Sequence, residues 1–184
     1  NNLAQYNNEE VIFATNTSSL SVSSIQEKII FPERVVGMHF FNPAYMMKLV
    51  EVVKGDKTND EVAKSIVDIC QQMGKIPVMC KDSPAFIVNR VARHYYLESL
   101  KMVEEGSASF EQVDKILEAT GFKMGPFKLM DLIGIDINLA VTESMYHAFD
   151  KATRFEPSSI QVEKVKKNEL GKKTGKGFYI YQNK

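Results

Sequence analysis

His39 and Glu51 are the residues of this sequence whose types and surroundings best suit proton chemistry. His39 lies inside an apolar β-type run, Met38-His39-Phe40-Phe41, immediately before Asn42-Pro43. A single histidine in such a run is more often a satisfied core residue than a catalyst. Glu51 alters that balance, because it too is embedded in an apolar run, Leu49-Val50-Glu51-Val52-Val53. A carboxylate in such a strand is costly to bury unless it is paired. An imidazole that donates one ring N–H to a carboxylate satisfies both groups, and the pairing fixes the tautomer and raises the basicity of the ring. That is the construction of a general base. Two strands of one sheet can bring these side chains together, so the spacing is compatible with a dyad.

Other polar residues offer less. Asn16-Thr17-Ser18-Ser19 follows a β-type run, and strand ends of open α/β sheets are where ligands bind. A helix N-cap and turn explains the same residues equally well. Asn89 interrupts the apolar stretch Phe86-Ile87-Val88-Asn89, and a solvent-facing or backbone-bonded Asn is the plain alternative. His94 and His147 have no acidic partner at close helical spacing and read as structural or surface residues. Lys164, Lys166, Lys167, Lys172, Lys173 and Lys176 read as a solvated face, with a role in holding cofactor phosphates as a minor alternative. Cys70 and Cys80 form no CxxC and have no metal-type neighbours, so neither a metal site nor a disulfide scaffold is expected. A reducing compartment, the cytoplasm, is the expected location. No GxGxxG occurs in the 184 residues.

The elements that must position these residues follow from periodicity and punctuation. Val11–Thr15, Arg34–Phe41, Leu49–Val53 and Ile76–Cys80 read as strands. Pro77 assigns the last of them to an edge or to a strand start. Ser21–Ile29 reads as a short helix, and Asn59 or Asp60 caps a longer one that Gly74 ends. This β-β-β-α-β order with short links suits the second half of an open α/β sheet. Beyond Asp82 the pattern is helical. Ser83 and Pro84 give an N-cap and first position for a helix to about Glu105. Ser109 and Gln112 form a capping box, Pro126 and Asp136 open two further helices, and Ser158 or Ser159 opens one ending at Leu170-Gly171. The tail Gly175–Tyr181 reads as extended and aromatic. The boundary is placed near residue 82, giving domains 1–82 and 83–184. The formal net charge of zero implies no pull toward nucleic acid, and no apolar run is long enough to span a membrane. Asn1–Glu10 reads as a helix tail, so the chain is expected to begin in mid-domain.

His39-Phe-Phe-Asn-Pro43 followed by Lys48-Leu-Val-Glu51-Val, together with Ala14-Thr-Asn16-Thr-Ser18-Ser-Leu20, Lys81-Asp-Ser-Pro-Ala-Phe-Ile-Val-Asn89-Arg90, Met124-Gly-Pro-Phe127 and Gly171–Tyr179, resembles the L-3-hydroxyacyl-CoA dehydrogenase family. The resemblance covers nearly everything from Val11 onward. It implies an α/β remnant of a Rossmann-type domain followed by an all-α C-terminal dimerisation domain. It further implies NAD as cofactor, an acyl-CoA substrate and a homodimer through residues 84–184. His39 is then the base, oriented by Glu51. Ser18 and Asn89 hold the reacting oxygen or the substrate, and Asn16, Ser18 and Asn42 lie along the nicotinamide ribose and amide. The chain departs from the family in lacking the Gly-rich first segment, so these 184 residues alone are expected to be inactive. It departs also in Tyr45, where many relatives have Pro and which can reshape the substrate pocket. Ala85 stands where Gly is usual, a change expected to matter little in a helix. A hydroxy-acid dehydrogenase that does not use CoA, and a dimerisation module whose dyad is unused, are the two other readings.

Overall fold

A computed structural model describes residues 2–8, 10–18 and 20–181. The chain divides into two compact units, Asn1–Ile87 and Val88–Lys184.

The first unit is a four-stranded mixed sheet with helices. After α1 (Asn2–Tyr6) come β1 (Phe13–Thr15), α2 (Val22–Gln26), a 3-10 turn at Pro32–Arg34, β2 (Val35–Phe40), β3 (Leu49–Lys54), α3 (Asp60–Gln72) and β4 (Ile76–Lys81). Spatial order equals chain order; β1–β2 and β3–β4 are parallel and β2–β3 is antiparallel. The period-2 alternation of β2 and β3 sorts their side chains by face. Val36, Val50 and Val52 pack on Ile66 and Cys70 of α3, whereas Val35 and Val53 pack on Val22 of α2 and on Phe86. A Cβ at Gly37 would lie 2.7 Å from Val53 Cβ, so this closely packed face requires glycine there. Asn59 is the residue that caps α3, its side chain accepting from Glu61 N–H. β4 with its Pro77 is a sheet edge among the described strands.

The second unit is helical: α4 (Val88–Glu104), α5 (Phe110–Ala119), α6 (Pro126–Ile133), α7 (Ile135–Ala148) and α8 (Ser159–Lys166). Tyr96, Leu100, Val113, Phe127, Met130, Ile135 and Phe178 form its core. Both halves of the Ser109–Gln112 capping box are made. Arg93 is buried without a carboxylate partner among the described residues. It donates to Asn138 O and Oδ1 and to Thr142 Oγ1, each at 3.0 Å, and burial lowers its pKa to about 10. Among the described residues no helix is long and apolar enough to cross a membrane.

Several expected elements are corrected. The helix after Asp82 begins at Val88, not at Pro84, because Ala85 (φ 63°) and Phe86 (φ 52°) are left-handed. The turn they make drives Phe86 into the core beside Val22, Val35 and Val53. Ala85 is therefore not helical, and the usual Gly would relieve a real steric cost at this position. α8 stops at Lys166, its C-cap Lys167 followed by left-handed Asn168. Neither serine caps it by side chain; Ser158 and Ser159 instead donate to Glu104 at 2.7 and 2.8 Å. The aromatic tail is not a strand. It folds through isolated bridges, Gly171 with Lys176 and Lys176 with Ile180.

Candidate active site

His39 and Glu51 are direct cross-strand partners in the β2–β3 ladder. Both lie on the face that carries Val35 and Val53, so the two side chains project the same way. His39 Nδ1 and Glu51 Oε2 are 2.8 Å apart, with relative exposures of only 5% and 1%. The carboxylate can only accept, so Nδ1 carries the proton and donates, leaving the Nε2 lone pair available. Nε2 has no hydrogen-bond partner among the described residues. Glu51 Oε1 accepts the Ile87 N–H at 3.0 Å, so each carboxylate oxygen is engaged. The left-handed turn at Ala85–Phe86 delivers that amide, and it also sets the Phe86 ring 5.7 Å from the imidazole. Phe41 lies on another side at 4.6 Å. The imidazole is thus oriented by a charge and walled by two aromatic rings, which limit water around it. Nearby Cys80 is a poor nucleophile, since burial first, then the charges of Glu51 and Asp82, raise its pKa to about 11.

The remaining sequence candidates are distributed unevenly. Because β1 and β2 run parallel, the loops leaving them lie at the same end of the sheet. Asn16 stands there, and its Oδ1 accepts the Phe40 N–H at 2.9 Å, one residue from His39. Its amide NH₂ has no partner among the described residues. Ser18 and Asn42 are exposed in the same two loops, and the Asn42–Pro43 peptide bond is cis. Asn89 lies in the first turn of α4, in the second unit. His94 is exposed and stacks on Phe155 at 5.3 Å; His147 is exposed in the last turn of α7. Four of the clustered lysines are committed to carboxylates: Lys164 and Lys176 to Glu169, Lys167 to Glu163, Lys173 to Asp136.

Lys75 is a residue that sequence reasoning passed over. It donates to the Ala44 and Met47 carbonyls in the loop after His39. Its partners are backbone atoms, which leave no pattern in the sequence.

Comparison with known proteins agrees along the whole chain. Residues 1–83 match the family model for the 3-hydroxyacyl-CoA dehydrogenase NAD binding domain, and residues 86–181 match the model for the C-terminal domain of the same family. The chain is 49% identical over 181 residues to 3-hydroxyadipyl-CoA dehydrogenase of Escherichia coli (strain K12), covering 98% of this chain and 38% of that protein. It is 42% identical to the mitochondrial hydroxyacyl-coenzyme A dehydrogenase of Rattus norvegicus, covering 95% of this chain and 56% of the relative. The crystal structure of 3-hydroxybutyryl-CoA dehydrogenase from Escherichia coli K12 superposes with a TM-score of 0.96 at 47% identity, covering 100% of this chain and 39% of that one. The chain therefore spans roughly two-fifths to just over half the length of these relatives. With two adjoining family models accounting for nearly every residue, and in the order the family has them, the chain belongs to the 3-hydroxyacyl-CoA dehydrogenase family.

Proposed function

We propose that these residues supply the acid–base half of an NAD-dependent L-3-hydroxyacyl-CoA dehydrogenase site, active in the full-length protein. The observation that carries this reading is the buried His39–Glu51 pair, with Nε2 unbonded among the described residues.

The residues present fit the nicotinamide end of the cofactor. A carboxamide and a ribose need both donors and acceptors. Asn16, Ser18 and Asn42 offer both, at the sheet end where open α/β folds bind ligands. When bound, NAD supplies the hydride acceptor for the hydrogen on C3 of the substrate. His39 Nε2 takes the proton of the 3-hydroxyl, so the C–O bond becomes a carbonyl. The imidazolium that results sits against Glu51, whose negative charge stabilises it and whose Oε2 holds it in line while the Ile87 N–H fixes Oε1. By resemblance to the family, Ser18 and Asn89 would each hydrogen-bond the reacting oxygen or hold the substrate in line. In the reverse direction His39 returns the proton. The acyl-CoA is the substrate, the helical unit carries a homodimer contact, and a reducing compartment such as the cytoplasm suits the free cysteines. The 184 residues by themselves turn over nothing, since no Gly-rich phosphate turn is among them.

The test follows NADH absorbance while full-length wild type and His39→Gln reduce acetoacetyl-CoA. Turnover is expected to fall about 10³-fold in the variant, with NADH affinity retained. A wild type that ignores the thioester but reduces a free oxo acid would overturn the acyl-CoA reading.

A further inference from the structure

The loop between β2 and β3 is built the opposite way round from an ordinary solvated loop. After Phe41 the backbone makes one helical turn, with Met46 N–H and Met47 N–H both donating to Pro43 O at 3.0 Å. The end of such a turn leaves carbonyls unsatisfied, and a cation placed there is favourable. Lys75, in the tight connection between α3 and β4, fills that place. Its Nζ donates to Met47 O at 2.9 Å and also to Ala44 O. The adjacent Ile76 N–H donates to Lys48 O at 2.8 Å, so two consecutive residues tie down three loop carbonyls. With its polar backbone drawn in toward Lys75, the turn leaves Tyr45, Met46 and Met47 exposed by 85%, 64% and 42%. Three successive large apolar side chains in water cost free energy unless something covers them, and such patches mark contact sites. This one begins six residues beyond His39, at the end of the sheet that holds Asn16, Ser18 and Asn42.

We propose that Lys75 is a positioning residue of the candidate site: by bridging the Ala44 and Met47 carbonyls, it holds Tyr45, Met46 and Met47 as an apolar contact surface for the acyl chain of the substrate. This rests on the acyl-CoA reading and goes beyond it by assigning the surface that senses chain length. The chemistry of the surface suits the task. Methionine is flexible and polarisable and adapts to aliphatic chains of different length, while the tyrosine ring offers a flat apolar face. Lys75 itself touches no reacting atom.

The full-length protein decides the matter with Lys75→Met, Lys75→Arg and Met46→Ser, assayed with NADH on acetoacetyl-CoA and on 3-oxooctanoyl-CoA. Lys75→Met is expected to raise KM for the longer ester about tenfold and for the shorter about threefold, with kcat within about twofold of wild type. The pH profile of kcat stays unchanged, because the dyad is untouched. Lys75→Arg, which keeps the donors, restores the wild-type KM for both esters. Met46→Ser reproduces the chain-length-dependent rise with the loop still pinned. Independently of turnover, amide hydrogen exchange in residues 44–48 of Lys75→Met quickens about tenfold while the global unfolding midpoint holds. A KM unchanged for both esters, an equal fall in kcat for both, or unchanged exchange overturns the proposal while the acyl-CoA reading stands. Absence of turnover by the wild type on either ester overturns the acyl-CoA reading and the acyl contact together, and the exchange measurement still tells whether Lys75 holds the loop.

Discussion

Both units bury carboxylates, and they use them differently. In the first unit Glu51, 1% exposed, faces an imidazole at 2.8 Å and accepts the Ile87 N–H at 3.0 Å. In the second, Asp114 and Asp131 are as deeply buried but face amides and phenols. Asp114 accepts the N–H groups of Phe127 and Lys128 and the Tyr179 hydroxyl. Asp131 accepts those of Phe178 and Tyr179 and the Tyr181 hydroxyl. Amides do not titrate, and both phenols are pushed above their ordinary range by burial and by the aspartates. The aspartates therefore act as fixed anchors, one seating the start of α6 and the other strapping down the tail. The His39 imidazole has a second ring nitrogen that can take up a proton, and the charge of Glu51 then faces a cation. Burial alone does not set Glu51 apart from the two aspartates; a partner able to accept a proton does.

Glu51→Gln gives the sharpest test of that distinction. The amide preserves shape and can still accept from Ile87, but it no longer supplies a negative charge to the imidazolium. Turnover by the full-length protein is expected to fall about 10²–10⁴-fold, with a much smaller change in unfolding free energy. Activity within threefold of wild type would place Glu51 with the anchors. The opposite pattern is expected of Asp131→Ala, which strands two buried N–H groups and a phenol. Its unfolding free energy should drop by about 3 kcal/mol or more in denaturant melts, with kcat of the folded fraction preserved. A large loss of kcat without a loss of stability would break the comparison from the other side.

How far the sequence foretold these two cases follows from the range of the interactions. The dyad was legible because strand periodicity is local and because an ionisable residue inside each of two apolar runs demands a partner. The register that makes His39 and Glu51 direct neighbours comes from the hairpin-like link between them. The capping box at Ser109 was legible for the same reason: its signal spans three residues. Asp114 and Asp131 read as ordinary polar positions on helices, since their partners lie as far as 65 and 50 residues away. The available hint was the tail's glycine spacing. A Cβ at Gly177 would sit 2.0 Å from Asp131 Oδ1, and one at Gly171 would meet the Asp131 backbone at 2.3 Å. The start of α4 was misplaced because Ser83-Pro84 is a good local signal that the burial of Phe86 overrides.

Ala85 turns that misplacement into a smaller test. An L-residue at φ 63° carries a steric cost that glycine avoids, although glycine is more flexible in the unfolded chain. The first effect is the larger where the native conformation is left-handed, so Ala85→Gly should stabilise the protein by about 0.5–1 kcal/mol, less whatever the buried methyl contributes. Turnover should be unchanged, because the Ile87 amide keeps its place on Glu51. A destabilised variant with intact turnover would show that the methyl packs well enough to outweigh the strain.

The smallest effect separates the two units by pH. Tyr179 and Tyr181 have folded pKa values raised above the ordinary phenol value of 10.0, chiefly by burial and then by their aspartate partners. Cys80 is raised from 9.0 to about 11 by burial and then by Glu51 and Asp82. Each group binds its proton more tightly when folded. The stability it contributes is complete below its unfolded pKa and is lost as pH climbs toward the folded one. The cysteine share, in the first unit, should fade between pH 9.0 and about 11. The tyrosine share, in the second, should begin to fade only above pH 10.0. Denaturant melts from pH 8 to 11 should thus show a flatter decline for Cys80→Ser from about pH 9, and for Tyr179→Phe with Tyr181→Phe only from about pH 10. Identical slopes in all three proteins would mean that neither burial nor the buried carboxylates hold these protons, and the anchoring role of the aspartates would then rest on their backbone partners alone.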